Sequence, residues 1–489
     1  MCFALAVSLN IEYNVFCKPT FFDKDRPVSF SDLRFIFYIL PPFVLLHTVL
    51  PSKYRNALLF FGSLGIYAFG AGLECAGILL GMTALNYLFG RWMKDEEPYM
   101  RRAFLGLGLF LDFLSLFFFK YLTAVFDVLA RFGYDDYSFL HIALPLGVSF
   151  YIFQMTAYLI DVCRGAVEPE TSFIDFGAFV SAFPQLTMGP ILRYGDVRKA
   201  LKDRKPGRVD IEQGFQLFCI GLSFKVLLAD QLAYLWVVLE RIGFDYISTP
   251  LAWLGAVGYS LQLYFDFQGY SLMAMGLGGM LALPVARNFD DPYLSRSVSD
   301  FYRRWHMTLG TWFRDYLYIP LGGSRRGTAR TLLSLAVVWL LTGLWHGPTV
   351  NYLIWGGVLF VFIALEKLFL RKTFGKLHVL PHLYLLFVIV QTWVIFRVES
   401  LSDLLAYFRR LYPFFGDAAA INYGDFLKYF TSYWWLFAIG VFLCLPWPRR
   451  WYERARGNAL VWVPLFALFW TSVYFLSTGS GSEFLYFRF

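Results

Sequence analysis

The sequence predicts an all-α, multi-pass membrane protein, and three observations carry that class. Of its 489 residues, 58% are hydrophobic and 16% charged, with a mean hydropathy of +0.53; soluble domains carry roughly 25% charged residues. Aromatic side chains make up 21%, with 55 Phe and 31 Tyr, more apolar surface than a soluble fold can bury. Apolar runs follow one another from end to end, many approaching the ~20 residues that cross a ~30 Å hydrocarbon core, which gives about eleven to thirteen spans. Basic residues gather in the short segments between those runs, the positive-inside pattern. The net charge of +8 is therefore read as orienting the chain in a lipid bilayer, with no nucleic-acid partner.

The elements follow in order. Residues 1–27 form a mixed N-terminal arm ending in the polar FFDKDRP, without the charged and apolar regions of a signal peptide. Residues 28–489 read as one transmembrane domain, with a native start near Val28 as the alternative. A first span at 33–50 is broken by Pro41-Pro42, and others follow at 57–70 and 72–90. The linker RWMKDEEPYMRR, 91–102, is basic at both ends and is placed in the cytoplasm. The run 104–130 holds Asp112 and Lys120. Lys120 reads as a snorkelling side chain or a break between two helices, with a cavity shared with Asp112 as the other possibility. In the span 141–162, Pro145 and Gly147 invite a kink. Residues 176–197 are short and Pro-broken, closer to a re-entrant piece than a clean span. The basic run RKALKDRKPGR, 198–208, reads as a solvated loop that fixes orientation.

Spans continue at 215–240 and 251–284, the second holding Asp266 and Gln268. Where there is no water these two must find partners, in a cavity or on neighbouring helices. Later spans are expected at 350–370, 381–397, 433–447 and 459–477, with 401–430 lying at the interface. The six cysteines have no metal-type spacing and read as small core residues.

The chemistry gathers in residues 287–347. Ser297 and Asp300 fit a capping pair, S-x-x-D, opening a helix. Phe301, Trp305, Trp312 and Tyr316 then share a face, with Arg303, Arg304 and His306 off it; Gly322-Gly323 ends this interfacial helix. The next helix starts near Arg330 and carries His346 about 24 Å along its axis at 1.5 Å per residue, deep into the apolar core. Gly343 and Gly347 are expected to leave space beside the ring for a substrate. A neutral imidazole there can take a proton from a hydroxyl, and ionisable groups inside a membrane are functional candidates. A hydrogen-bonded structural histidine and a transporter's proton relay through His306 and His346 fit the same residues. No third ligand at a typical spacing accompanies them, so no metal is expected. No GxSxG elbow, HExxH or P-loop signature is present.

The stretches RNFDDPYLSRS, FYRRWHMTLGTWFRDYLYIPLGGSRRG and LTGLWHGPTVNYLIWG resemble the membrane-bound O-acyltransferase family, in the bacterial branch that serves alginate O-acetylation. LPLGVSFYIFQMTAYLIDVCRG, FPQLTMGPILRYGDV, YFDFQGYSLMAMG, WVIFRVESLSD and the ending EFLYFRF extend the likeness from roughly Phe30 to Phe489. The resemblance implies a ring of helices, with re-entrant and interfacial pieces, around a central tunnel, and 287–347 as the catalytic core. It places the family's invariant histidine on His346, as general base, and a second signature position on His306, which would orient a thioester or stabilise developing charge. Asp196 in RYGDV and Asp315 in FRDYLYIP match acidic positions; Arg303 and Arg304 would attract an anionic donor at a cytoplasmic mouth. Asp266 and Gln268 are candidates for the polar lining, although Gln268 stands where relatives often have Ser and Leu272 where they often have Asp. The implied reaction takes an acyl group, acetyl from acetyl-CoA, off a cytoplasmic thioester in a bacterial inner membrane, with no bound cofactor. It would O-acetylate an exported polysaccharide, directly or through a partner protein. D-alanyl transfer to teichoic acid from a carrier-protein thioester is the neighbouring alternative.

Overall fold

The computed structural model describes residues 29–132, 144–415, 424–479 and 484–485; the expected N-terminal arm lies outside them. Among the described residues every regular element is helical.

A π turn, Phe35–Ile39, runs straight into α1, Leu40–Val49. Pro41 and Pro42 fall in the first turn of α1, where a missing N–H removes no intrahelical bond, so they do not interrupt the segment as expected. Gly72, at φ +94°, separates α2, Ser52–Ala71, from α3, Leu73–Trp92. The fourth helix, α4, Pro98–Arg131, continues through both Asp112 and Lys120, so Lys120 marks no break. The next, α5, Val148–Cys163, begins after a left-handed Gly147 at φ +77°. A Cβ at Gly147 would lie 2.4 Å from the Leu186 carbonyl oxygen; the glycine starts a helix and does not kink one.

Three short pieces follow, the largely buried α6, Phe173–Ser181, and α7, Phe183–Leu186, and the more exposed α8, Tyr194–Lys202, in keeping with the broken segment expected at 176–197. The basic run after them is not simply solvated. Lys202 pairs with Glu170 and Asp175 at 2.8 Å each, and the buried Arg204 donates to Asn56 Oδ1 at 2.5 Å.

A π segment, Phe224–Ala229, joins α9, Arg208–Ser223, to α10, Asp230–Ile242. The core is α11, Thr249–Met280, buried on nearly every side. It crosses α9 at backbone contact: a Cβ on Gly221 would lie 2.5 Å from the Gly269 carbonyl oxygen, the close approach that small residues allow between membrane helices. Asp266 resolves as a structural partner. It accepts from Lys225 Nζ at 2.8 Å and from the Leu485 N–H at 3.0 Å, while Lys225 also donates to Asp230 at 2.7 Å. Gln268 is half-buried.

The single amphipathic helix expected after Ser297 is instead two, α12, Val298–Arg304, and α13, Met307–Phe313, the latter continuing into a π turn, Arg314–Tyr318. The chain then forms α14, Thr328–His346, and α15, Val350–Leu365, with a π turn at Glu366–Leu370. Next come α16, Arg371–Lys376, α17, Leu380–Arg397, and α18, Leu401–Leu411. The last are α19, Asp425–Leu443, α20, Pro446–Ala455, and α21, Trp462–Ser477. Because α19 begins at Asp425, the interfacial piece expected at 401–430 overlaps a span.

Eight of the described helices are long and apolar enough to cross a bilayer, and 35–49 and 148–163 are shorter apolar helices. The larger number expected is reached only by adding those and the long but less hydropathic α2 and α11. Cys75, Cys163, Cys219 and Cys444 are free thiols, the last two buried; Cys2 and Cys17 lie outside the described residues.

Candidate active site

His346 is the last residue of α14, followed by an extended Gly347. Its buried ring is packed by Trp345, Trp355 and Phe396, with ring centres at 4.9, 5.2 and 4.9 Å. A cavity of about 520 Å³ is lined by both His346 and His306, with Trp305, Trp339, Trp355 and Trp393 in its apolar wall. A second cavity, of about 70 Å³, is lined by Lys120, Ser149, Thr187, Trp345 and, again, His346. Among the described residues His346 is the one common to both linings.

His306 stands at the break between α12 and α13, at φ +46°, a left-handed conformation that costs a non-glycine residue roughly 1–2 kcal/mol. The turn is held by Asn288. Its Oδ1 accepts from the Thr308 N–H at 3.2 Å and the Thr308 hydroxyl at 2.9 Å, and lies 3.2 Å from His306 Nδ1. A backbone N–H can only donate, so that atom of Asn288 is the oxygen and Nδ1 carries the proton. A neutral His306 therefore has a bare Nε2, which no group among the described residues contacts by hydrogen bond. Of the two expected roles, orienting a thioester is open to the neutral ring, which accepts at Nε2, and stabilising negative charge by donation from Nε2 needs the protonated ring.

Glu366 fixes the approach to His306. Its buried carboxylate accepts from the N–H groups of Val298 and Ser299 at 2.5 and 3.0 Å, at the start of α12, where unpaired N–H groups favour an anion. Ser297 Oγ accepts from the Asp300 N–H at 3.0 Å, the expected cap.

The other candidates separate. Arg303 lines the large cavity with its side chain 75% exposed, and Arg314, not foreseen, lines it too. Arg304 turns to Asp300 at 3.3 Å, outside the lining. Asp315 is also outside; hydrogen bonds from Arg314 and then Arg193, at 2.6 Å each, hold its carboxyl below the usual carboxylate range. Asp196 is exposed on α8. Asp196, Asp266 and Gln268 line neither cavity. Gly343 and Gly347 make no room for a substrate: a Cβ on Gly343 would lie 2.4 Å from the Tyr352 carbonyl oxygen, and one on Gly347 2.6 Å from the Tyr352 ring. Lys120 finds a protein partner. Its ammonium donates to the Trp345 carbonyl at 2.5 Å, and the Tyr121 hydroxyl donates to the Leu344 carbonyl at 2.5 Å. No group of three or more His, Cys, Asp or Glu among the described residues could hold a metal ion.

The sequence reading passed over Asn288, Glu366 and Arg314. Glu366 carried a usable signal, an ionisable residue within apolar sequence that must find a partner.

Comparison with known proteins bears on this arrangement. The model of the membrane-bound O-acyltransferase family matches residues 165–402, a range that includes both histidines. The chain is 38% identical over 398 residues to the "Probable alginate O-acetylase AlgI" of Pseudomonas putida, covering 79% of this chain and 81% of that one. It is 32% identical over 417 residues to the "Peptidoglycan O-acetyltransferase" of Helicobacter pylori, covering 77% and 78%. A "Teichoic acid D-alanyltransferase" of Bacillus subtilis is 28% identical over 225 residues, covering 43% and 56%. These likenesses support acyl transfer by this chain over transport. The chain belongs to the membrane-bound O-acyltransferase family and is a multi-pass O-acyltransferase.

Proposed function

We propose that this protein moves an acetyl group from a cytoplasmic thioester, acetyl-CoA, to an acceptor hydroxyl during O-acetylation of an exported polysaccharide, in a bacterial inner membrane. The acceptor is a sugar hydroxyl or a partner protein that hands the group on. One observation carries this reading: His346 borders two separate cavities, so one imidazole can meet a donor from one and an acceptor from the other. Arg303 and Arg314 give the larger cavity a basic rim suited to an anionic donor. Its aromatic wall suits the uncharged arm that carries the thioester.

His346 takes the proton of the acceptor hydroxyl as general base. The oxygen attacks the thioester carbonyl, the C–O bond forms, and the C–S bond breaks. The thiolate leaves and is reprotonated from the imidazolium, which restores the base. His306, neutral with Nδ1–H held by Asn288, orients the donor by accepting from one of its amide N–H groups at Nε2. Likeness over about four-fifths of the chain to a protein named as an alginate O-acetylase favours acetyl over D-alanyl, whose relative matches 43% of the chain.

The test is turnover of labelled acetyl-CoA by purified protein in lipid nanodiscs, with mass spectrometry of surface glycans from cells with and without the gene. His346→Ala is expected to lower turnover at least a thousandfold, and acetyl groups are expected to disappear from the glycan. Full acetylation by His346→Ala, or strict need for a carrier-protein thioester, would overturn the reading.

A further inference from the structure

Lys120 lies inside the apolar span 98–130, where an ionisable side chain needs a reason to stay. Among the described residues no carboxylate pairs with it; its partner is a main-chain carbonyl. Its ammonium is spent on one atom, the Trp345 carbonyl oxygen at 2.5 Å, and lies 5.6 Å from the centre of the Trp345 ring. The neighbouring Tyr121 hydroxyl takes the Leu344 carbonyl at 2.5 Å. These two carbonyls belong to the last turn of α14, where a helix runs out of its own N–H donors; Leu344 also accepts from the Gly347 N–H at 3.1 Å, so Lys120 is the donor that Trp345 has. An ammonium there also meets the negative end of the helix dipole. Since α4 packs mainly along α3 and α5, the two bonds reach sideways to a helix that α4 otherwise touches lightly. The residue directly after Trp345 is His346, and Lys120 and His346 line the same small cavity.

We propose that Lys120 is a positioning residue for acyl transfer: by capping the final turn of α14 it holds His346 at the junction of the two cavities. This rests on the acyl-transfer reading above. With no donor on the Trp345 carbonyl, and an extended Gly347 next in the chain, the last turn is free to fray and the imidazole to leave the junction. The rest of the donor cavity's lining, from α12 to α15 and α17, does not depend on Lys120, so donor binding survives while turnover falls.

The test compares Lys120→Met, Lys120→Gln and Tyr121→Phe with the parent chain in nanodiscs, using labelled acetyl-CoA and rates normalised to folded protein. Lys120→Met is expected to lower kcat at least tenfold with the KM for acetyl-CoA within twofold. Lys120→Gln, which restores an N–H donor without the charge, is expected to recover at least threefold of that loss. Tyr121→Phe is expected to lower kcat threefold or more with KM unchanged, and it decides the matter if Lys120→Met does not fold. A kcat within twofold of the parent for Lys120→Met, a KM that rises as far as kcat falls, or Lys120→Gln no better than Lys120→Met would overturn the proposal. Failure of the underlying reading has a different signature, a parent chain with no His346-dependent turnover, and it removes the proposal with it.

Discussion

Asn288 determines which face of His306 is chemically available. One amide oxygen gathers the Thr308 N–H, the Thr308 hydroxyl and His306 Nδ1, and Thr308 Oγ1 in turn accepts from the Ile191 N–H at 3.0 Å. The left-handed turn at His306 is therefore held by the Asn288 side chain together with its carbonyl, which accepts from the Met307 N–H at 2.9 Å. Asn288→Ala is expected to lower acetyl turnover about five- to a hundredfold, from ~1–3 kcal/mol for a buried donor left without its acceptor. Labelled acetyl-CoA turnover on detergent-purified, monodisperse protein checks it. The histidines could be read from the sequence because an imidazole in an oily run is conspicuous. Asn288 could not, because it meets His306 only through a backbone turn that no residue-type rule assigns to histidine. Lys120 was visible but misjudged: its partner is a main-chain carbonyl, which leaves no mark in a sequence.

At the scale of elements, α14 and α15 form a tight pair whose contact passes through glycine. A Cβ on Gly343 would meet the Tyr352 carbonyl oxygen at 2.4 Å, and one on Gly356 the Trp339 carbonyl oxygen at 2.4 Å. Overpacking a site of this kind costs ~1–3 kcal/mol. Gly343→Ala is thus expected to lower the thermal midpoint in detergent and, because His346 lies less than one turn further on, to reduce turnover as well. Scanning fluorimetry and the same acetyl assay read the two effects. The apolar runs placed most spans to within a few residues, since hydropathy over a bilayer's width is a strong signal. What the glycines do was misread, because small residues announce a close neighbour without saying whether it is a ligand or a helix. The break at His306 was missed for a related reason: the aromatic spacing of Phe301, Trp305, Trp312 and Tyr316 continues across it, and all four are buried as a continuous helix would bury them.

Across the whole molecule, the buried charges Lys225, Asp230 and Asp266 tie the π segment between α9 and α10 to the central α11. Phe484 lies over the Lys225 ammonium and Leu485 donates to Asp266, so the residues at 484–485 join the same knot. Removing one member of such a set leaves buried charge uncompensated, at ~3–5 kcal/mol. Lys225→Met is expected to lower the thermal midpoint sharply, and Lys225→Met combined with Asp230→Asn and Asp266→Asn to recover much of it, as measured by melting in detergent. Composition and the succession of apolar runs were enough for the all-α membrane class. It could not say that Asp266 belongs to the scaffold and not the site, since both uses place a carboxylate in an apolar helix.

A protein that offered a continuous water-filled route through a bilayer would short-circuit the ion gradients on which a cell runs. Here the two chambers are distinct volumes that touch at a single imidazole, with the Trp345 indole packed beside it. Two buried rings stand where the volumes share a lining residue, so substrates brought together at that imidazole need no such route.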